Sequence, residues 1–336
     1  MLYPLLKNLL FKLEPERAHS LTLSSLQRME QCGLLSMIAS GAKVTPVKLM
    51  GLQFPNRVGI AAGLDKNAVC IDALSALGAG HVEIGTVTPR PQAGNPAPRV
   101  FRLPQSQALI NRMGFPNEGM EAIAPRVAAR KHRAICGVNI GKNASTPLEN
   151  ATQDYLSCLR GMAPYADYIT INVSSPNTLG LRSLQAVAQL RPMLVALLDE
   201  RARLLPALGK SLPILVKIAP DLTTDELHGM ADLLLEVGMD GVIATNTTLS
   251  RPEGLGSLAE QAGGLSGRPV HALSLATVST LRQRLGQSFP IIGVGGISSA
   301  ADALAMRQAG ADLVQIYTGL LYRGPGLIRE VAAALT

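Results

Sequence analysis

The segment Asn172-Val173-Ser174-Ser175-Pro176-Asn177-Thr178 puts two carboxamides and two serine hydroxyls on one turn. Pro176 and Asn177 suffice to make the turn; a segment that only closes a fold has no need of matched amides around a serine. Asparagine both donates and accepts, so a pair can grip a planar ring with amide and carboxylate edges. Ser175 is then placed to touch a reacting atom. For this segment alone, a plain Asx-rich turn is the alternative. Similar residues follow other short apolar runs: Ala61-Ala62-Gly63-Leu64-Asp65-Lys66, Thr86, Asn139, Lys217 and Thr245-Asn246-Thr247-Thr248. Amides, hydroxyls and two lysines dominate, and carboxylates are almost missing. The set lacks the carboxylate pair of a glycosidase and the His-rich cluster of a metal site. His19, His81, His132, His228 and His271 are dispersed, and none follows such a run. The inventory suits a hydrogen-bond-rich pocket around a conjugated cofactor, where Lys217 stabilises negative charge developing on a ring.

A phosphate signature accompanies it. Gly293-Val294-Gly295-Gly296-Ile297-Ser298-Ser299 follows an apolar run and enters a helix, which turns backbone N–H groups toward an anion. Gly263-Gly264-Leu265-Ser266-Gly267-Arg268 supplies a second glycine-rich loop, and Tyr317-Thr318-Gly319 follows the last run.

The elements that must position these groups repeat from Arg57 onward as strand, polar turn and helix. The expected strands are Val58–Ala61, Val82–Gly85, Ile135–Ile140, Tyr168–Val173, Ile214–Ile218, Gly241–Ala244, Ile291–Val294 and Leu313–Ile316. Helical spacing marks Leu184–Leu205, Asp225–Val237, Ala300–Ala309 and Leu327–Leu335. Thr223 to Glu226 opens one of these helices and Gly238 ends it. Eight strands alternating with helices predict a (β/α)8 TIM barrel, an α/β fold of about 250 residues whose sites gather at the strand ends. A doubly wound open sheet is the alternative, but it rarely needs eight parallel strands in sequence. Arg90 to Asn111 reads as an excursion over the barrel top. The domain division expected is 1–42, a small N-terminal two-helix extension, and 43–336, the catalytic barrel. In the extension Pro4 starts a short leucine-rich helix and a second runs from Pro15 to about Gln31. It reads either as a helical cap or as a pair of helices whose greasy face dips into a bilayer surface.

The chain has 336 residues, 47% hydrophobic and 16% charged, as expected of a well-buried globular protein. Trp is absent and aromatics make up 3%, so stacking on single-stranded nucleic acid is poorly supplied and no nucleic-acid partner is expected. The net charge of +7 suits an anionic partner without choosing among them. Cys32, Cys70, Cys136 and Cys158 have no paired spacing, which points to a reduced setting. Lys7 and Lys12 interrupt the N-terminal apolar residues, and no run approaches the roughly 20 residues of a spanning helix.

Together these segments resemble the membrane-associated, quinone-using class (class 2) of dihydroorotate dehydrogenases. The motifs that carry the likeness are AAGLDK at Ala61, EIGTVTPRPQ at Glu83, NRMGF at Asn111, NIGKN at Asn139, INVSSPNT at Ile171 and VKIAPDL at Val216. They continue with IATNTT at Ile243, GGLSGRP at Gly263, IIGVGGI at Ile291 and QIYTG at Gln315, while LEPERAH at Leu13 extends the match into the N-terminal helices. The resemblance implies oxidation of (S)-dihydroorotate to orotate in pyrimidine biosynthesis, with FMN, one per subunit, passing electrons to a quinone. By matching motif, Ala62, Gly63, Thr86, Asn139, Asn172, Lys217, Thr245, Gly267, Gly296, Tyr317 and Thr318 would hold FMN. Lys66, Asn111, Asn172, Asn177, Asn246 and Thr247 would hold the substrate, with Arg112, Met113, Gly114 and Phe115 completing the wall. Ser175 would be the base; the cytosolic classes carry Cys there, and none of the four cysteines occupies that position. No metal is implied.

Class membership also turns the N-terminal helices into the mouth through which ubiquinone or menaquinone enters, with His19, Arg102 and Tyr317 at its inner end. It implies a peripheral protein, expected as a monomer, in contact with lipid on the cytoplasmic face of the inner (cell) membrane. Two rivals remain. A tRNA dihydrouridine synthase would need a cysteine acid and an added RNA-binding domain. A non-catalytic phosphate- or membrane-binding barrel would not need Lys66, Lys217 and the strand-end asparagines at one mouth.

Overall fold

The computed structural model describes residues 2–35, 44–131 and 135–336, so His132 and the expected boundary at residue 42 lie outside the described residues. Two helices come first, α1 (Leu2–Leu10) and α2 (Pro15–Gln31). Pro15 opens α2, where it sacrifices only an N–H that would have no helical partner. The Glu14 carboxylate accepts from the N–H groups of Glu16 (3.0 Å) and Arg17 (2.9 Å), capping that end. A hairpin follows, β1 (Val47–Leu49) against β2 (Leu52–Phe54), and drives Phe54, fully buried, into the barrel interior.

Eight parallel strands then close the barrel: β3 (Val58–Ile60), β4 (His81–Val87), β7 (Ile135–Ile140), β8 (Tyr168–Asn172), β9 (Ile214–Ile218), β10 (Gly241–Ala244), β12 (Ile291–Val294) and β13 (Leu313–Ile316). Neighbours pair in chain order, and β13 returns to β3 through Gln315 opposite Gly59. The eight expected strands are therefore the barrel strands, five with the expected bounds and three with ends displaced by one or two residues. One set of alternate side chains, including Val58, Ile60, Val82, Ile84, Val138 and Ile169, packs outward under the helices. The other set faces inward, as strand alternation requires.

That inward set is unusually polar: His81, Glu83, Asn139, Tyr168, Thr170, Lys217 and Gln315 stand among Leu215, Ile243, Ile292 and Leu313. Its two large rings need space from neighbouring strands. A Cβ on Gly59 would lie 2.0 Å from the His81 ring, and one on Gly137 would lie 2.0 Å from the Tyr168 ring.

Two expectations change. The excursion Arg90–Asn111 contains a second hairpin, β5 (Val100–Leu103) with β6 (Ala108–Asn111). Beside it lies β11 (Gly264–Gly267), so the supposed glycine loop is a strand, held by antiparallel pairing of Ser266 with Leu109. The helix expected over Leu184–Leu205 runs over Val187–Leu208, after a 3-10 turn at Leu181–Gln185. The two are separated at Ala186, whose extended backbone (ψ 129°) interrupts the helical path.

Candidate active site

The strand-end amides form one continuous network at the mouth of the barrel. Asn172, the last residue of β8, donates from Nδ2 to Thr86 Oγ1 (3.0 Å) and Asn139 Oδ1 (3.0 Å). Thr86 Oγ1 donates to the same Asn139 oxygen (2.7 Å). On its other edge Asn172 Oδ1 accepts from the hydroxyl of Ser174 (3.2 Å) and from Asn246 Nδ2 (3.4 Å). Asn246 also donates to Ser174 Oγ (2.9 Å), and its own Oδ1 accepts from Thr247 N–H (2.8 Å). The groups from β4, β7, β8 and β10 are thus locked in orientation before any ligand arrives, which is how a preorganised site avoids reorganisation cost. Thr245 is tied down differently, its hydroxyl 2.8 Å from Ser274 Oγ.

Ser175 follows this network and is 5% exposed. Its Oγ accepts from the Asn177 N–H (3.2 Å), which fixes the turn. Asn177 Nδ2 reaches Asn111 Oδ1 (3.2 Å), joining the β8 loop to the end of β6. Two buried hydroxyls here, Thr178 Oγ1 and Thr247 Oγ1, have no hydrogen-bond partner among the described residues. Buried polar groups are nearly always paired, so both are groups that a bound molecule would satisfy.

Lys66 stands on the loop after β3. That loop is stapled to β4 by Gly63 N–H to Gly85 O (2.8 Å) and Gly85 N–H to Asp65 O (3.0 Å). The Lys66 ammonium donates to Gly63 O (2.8 Å). Burial pulls its pKa down to about 8, against the opposing pull of Glu16 and Asp65. Lys217 is buried at the end of β9; burial lowers its pKa also, opposed by Glu83, whose Oε1 is 4.0 Å from Nζ.

Not every expected wall residue points inward. The guanidinium of Arg112 stacks on Phe101 (4.7 Å) and donates to Gln261 Oε1 (2.9 Å) and Pro98 O (2.9 Å). Its carbonyl accepts from Asn95 Nδ2 (2.9 Å), the same amide that reaches Asn177 O (3.2 Å). Gln92 Nε2 holds the carbonyls of Gly114 (3.0 Å) and Phe115 (3.1 Å), and Asn95 N–H holds that of Met113 (2.9 Å). Gln92 and Asn95 were missed by sequence reasoning; the only local signal was their place among the prolines of the excursion. Arg182 was missed too. It clamps Ser174 O (3.1 Å), Thr247 O (2.7 Å) and the Asp221 carboxylate (2.6 Å), drawing three loops together.

The glycine-bearing segments leave no room for side chains at two positions. A Cβ on Gly267 would lie 2.9 Å from Thr318 Cγ2 and 2.3 Å from Gln107 O. One on Gly296 would lie 2.5 Å from His271 Cβ. Both have positive φ, 98° and 69°, so side chains are excluded by conformation as well as space. Ser266 Oγ lies 2.9 Å from Thr318 Oγ1. Ala62 and Gly63 sit beside Tyr317, whose hydroxyl donates to Gly63 O (3.4 Å). His271, set aside at first as a dispersed histidine, lies against Gly296 with Nδ1 3.0 Å from Gly295 O.

The N-terminal helices reach the same loop from the other side. His19 on α2 hydrogen-bonds the Leu64 backbone, next to Gly63, and burial drops its pKa to about 3. Arg102 on β5 donates to Leu13 O (2.8 Å) and lies 4.8 Å above the Phe11 ring. It therefore fastens the α1–α2 turn to the second hairpin. Phe11 packs edge-on against Tyr322 (5.4 Å), and Tyr3 OH donates to Leu321 O (2.6 Å). With those aromatic residues inward, Leu5 (66% exposed) and Leu9 (63%) are left outward, together with Leu6, Leu13 and Leu21. No helix among the described residues is long and apolar enough to cross a membrane.

The family profile described as dihydroorotate dehydrogenase matches residues 44–336. The chain belongs to the dihydroorotate dehydrogenase family. Among relatives in that family, "Dihydroorotate dehydrogenase (quinone)" of Marinomonas sp. (strain MWYL1) is 53% identical over 334 residues, covering 99% of this chain and 96% of the relative. The protein of the same name from Chromobacterium violaceum is 54% identical over 335 residues, 99% and 97% of the two chains. A crystal structure of dihydroorotate dehydrogenase from Eimeria tenella in complex with ferulenol superposes with a TM-score of 0.87 at 39% identity, covering 96% of this chain and 90% of that one.

Proposed function

We propose that this chain oxidises dihydroorotate to orotate in pyrimidine biosynthesis and delivers the electrons to a quinone. The observation that carries the reading is the single amide–hydroxyl network from Thr86 through Asn139, Asn172, Ser174 and Asn246 to Thr247, accompanied by half-buried Lys66 and buried Lys217. A ring with carboxylate and ureide edges wants a cation and several amides that both donate and accept. The flavin is FMN, whose isoalloxazine accepts hydride when bound. Its phosphate suits the close-packed backbone at Gly267, Gly296 and Thr318, where a side chain would fill the cradle. Ala62, Gly63, Thr86, Asn139, Asn172, Lys217, Thr245 and Tyr317 supply the remaining contacts.

The protein's own groups do the following. Lys66 holds the substrate carboxylate. Asn111, Asn172, Asn177, Asn246 and Thr247 orient the ring edges, and Met113, Gly114 and Phe115, with the Arg112 backbone, complete the wall. Ser175 Oγ takes the proton from C5 as the C5–C6 double bond forms. A serine is a weak base until its own proton is carried away; Ser175 is buried, and a water relay would carry that proton to the half-buried edge of its turn. Lys217 would stabilise negative charge on the bound flavin ring.

Residues 1–42 form the quinone-access segment and 43–336 the catalytic barrel. Quinone enters between α1 and α2 and meets His19 and Tyr317, which flank Gly63 and Leu64, with Arg102 lining the passage where it ties the α1–α2 turn to the second hairpin. The outward leucines of α1 rest in the lipid interface on the cytoplasmic face, as an amphipathic segment does, and the catalytic unit is one chain. The test is anaerobic: dihydroorotate is mixed with purified protein, flavin absorbance is followed, and a ubiquinone analogue is added. Bleaching followed by recovery is expected. Bleaching without recovery refutes the quinone assignment, and no bleaching refutes the substrate.

A further inference from the structure

Glu83 is fully buried inside the barrel, one inward-facing position below Gly85, the register partner of Asn139. Every group that reaches its carboxylate is a donor. Oε1 accepts from Asn139 Nδ2 (2.9 Å) and lies 4.0 Å from Lys217 Nζ. Oε2 accepts from Tyr168 OH (3.1 Å) and Gln315 Nε2 (2.9 Å). Donors alone are matched by an ionised carboxylate, which only accepts. A buried ion is tolerated when it is both paired and hydrogen-bonded, and Lys217 is the counter-charge. The reverse dependence holds as well: burial favours the neutral amine of Lys217, and Glu83 is the group that opposes it.

Two of the four donors, Asn139 and Lys217, are assigned above to the flavin. Glu83 reaches the mouth only through them. We propose that Glu83 is a positioning residue of the redox centre: its carboxylate keeps the Lys217 ammonium charged and the Asn139 amide turned, and so raises the electron affinity of the flavin they face. The inference rests on the flavin reading of the preceding section. The pair shows the ring the positive end of a buried dipole. Without Glu83 nothing opposes the burial that shifts the amine toward its neutral form, and less positive charge faces the ring.

The test compares the midpoint potential of the flavin in holoenzyme and in Glu83→Gln from pH 6 to 9. Glu83 from β4 faces Lys217, Tyr168 from β8 contacts Glu83, and His81 from β4 packs on Tyr168; at the mouth are Lys66 from the β3 loop and Tyr317 from the β13 end. His81 is pulled down to about 3, Tyr317 is raised to about 12 and burial raises Tyr168 well above the usual phenol range, so none of the three titrates in this window. Lys66 does, but it is common to both proteins and cancels in the difference. Glu83→Gln is expected to lose at least tenfold in the reduction equilibrium at pH 8, about 30 mV for a two-electron couple. The gap should narrow as pH falls and Lys217 regains its proton, and Glu83→Asp should fall between wild type and Glu83→Gln. An unshifted potential overturns the inference, and so does a rise at every pH, because Lys217 would then be charged without help. If Glu83→Gln does not fold, the melting temperatures of Lys217→Met and of the double variant decide. Removing the stranded carboxylate should restore part of what Lys217→Met loses, and purely additive losses overturn the pairing. Wild type that holds no flavin, or is not bleached by dihydroorotate, refutes the functional reading instead.

Discussion

Lys66 offers a quantitative test of the substrate site. Its ammonium is held by one neutral acceptor, Gly63 O at 2.8 Å, and burial brings its pKa down to about 8 despite Glu16 and Asp65. A lysine is charged below its pKa, so the cation that grips a carboxylate is present at pH 7 and lost as pH rises through 8. Affinity for orotate should therefore be nearly flat from pH 6.5 to 7.5. Above pH 8 it should weaken toward tenfold per unit, because each unit above the pKa reduces the charged fraction about tenfold.

The bound anion raises the pKa of Lys66 in the complex, so the effect belongs to binding and not to turnover of saturated enzyme. Replacing the group outright by Lys66→Met removes one hydrogen bond to a charged partner, worth about 1.5–3 kcal/mol. That is roughly 10- to 150-fold in Kd, at one decade per 1.4 kcal/mol. The assay is titration of oxidised holoenzyme with orotate, read from the perturbed flavin spectrum between pH 6.5 and 9. A flat profile in wild type, or a Lys66→Met protein with unchanged Kd, would falsify the assignment of Lys66 to the substrate carboxylate.

Ser175→Ala should keep its flavin and bind orotate while flavin bleaching slows by about 10² to 10⁴-fold, the usual range for a lost general base; near-normal bleaching rules the role out. Gly267→Val should purify with little flavin, since its side chain would meet Gln107 O and Thr318, and full flavin content would show that the phosphate lies elsewhere. Leu5→Glu with Leu9→Glu should weaken flotation with anionic liposomes and slow reduction of a long-chain quinone, leaving dihydroorotate bleaching intact; unchanged flotation removes α1 from the lipid contact. His81 is buried with neither ring nitrogen partnered among the described residues, and burial drops its pKa to about 3, so its neutral form is the one the fold stabilises. Its contribution is complete above pH 6.5 and falls by about 1.4 kcal/mol per unit of acidification below it; a His81→Phe protein that loses stability between pH 6 and 4 as steeply as wild type would exclude this.

The barrel was legible because its inside and outside obey different rules. The outward residues of the strands are mostly Val and Ile pressed under helices, and these short apolar runs mark every barrel strand to within two residues. The site was legible because its side chains occupy the strand ends, where a fold with parallel strands exposes them on one side. What escaped detection has no period to reveal it. The hairpin Val100–Leu103 with Ala108–Asn111 lies among prolines, and its pairing with Gly264–Gly267 spans more than 150 residues of chain. Gln92, Asn95 and Arg182 act through backbone carbonyls whose positions only the fold defines. The outward turn of the Arg112 side chain depends on Phe101 and Gln261, contacts that the NRMGF motif cannot express.

The polar interior of the barrel bears on why the mouth is precise. A TIM-barrel interior is ordinarily filled by layers of branched apolar side chains, and an apolar layer would support a mouth residue by packing alone. Here Asn139 is held from below by Glu83 and from above by Thr86 and Asn172, so its carboxamide has one orientation that satisfies all three. Lys217 is held in the same way, by a charge that a Leu or Ile at position 83 would lack. Burying these groups costs desolvation that hydrogen bonds only partly return, and the two nitrogens of His81 are returned nothing by the described residues. Such an interior is poor value as a core and good value as a foundation: it gives up stability at the bottom of the barrel so that amides and a lysine at the top stand in fixed directions before the substrate arrives.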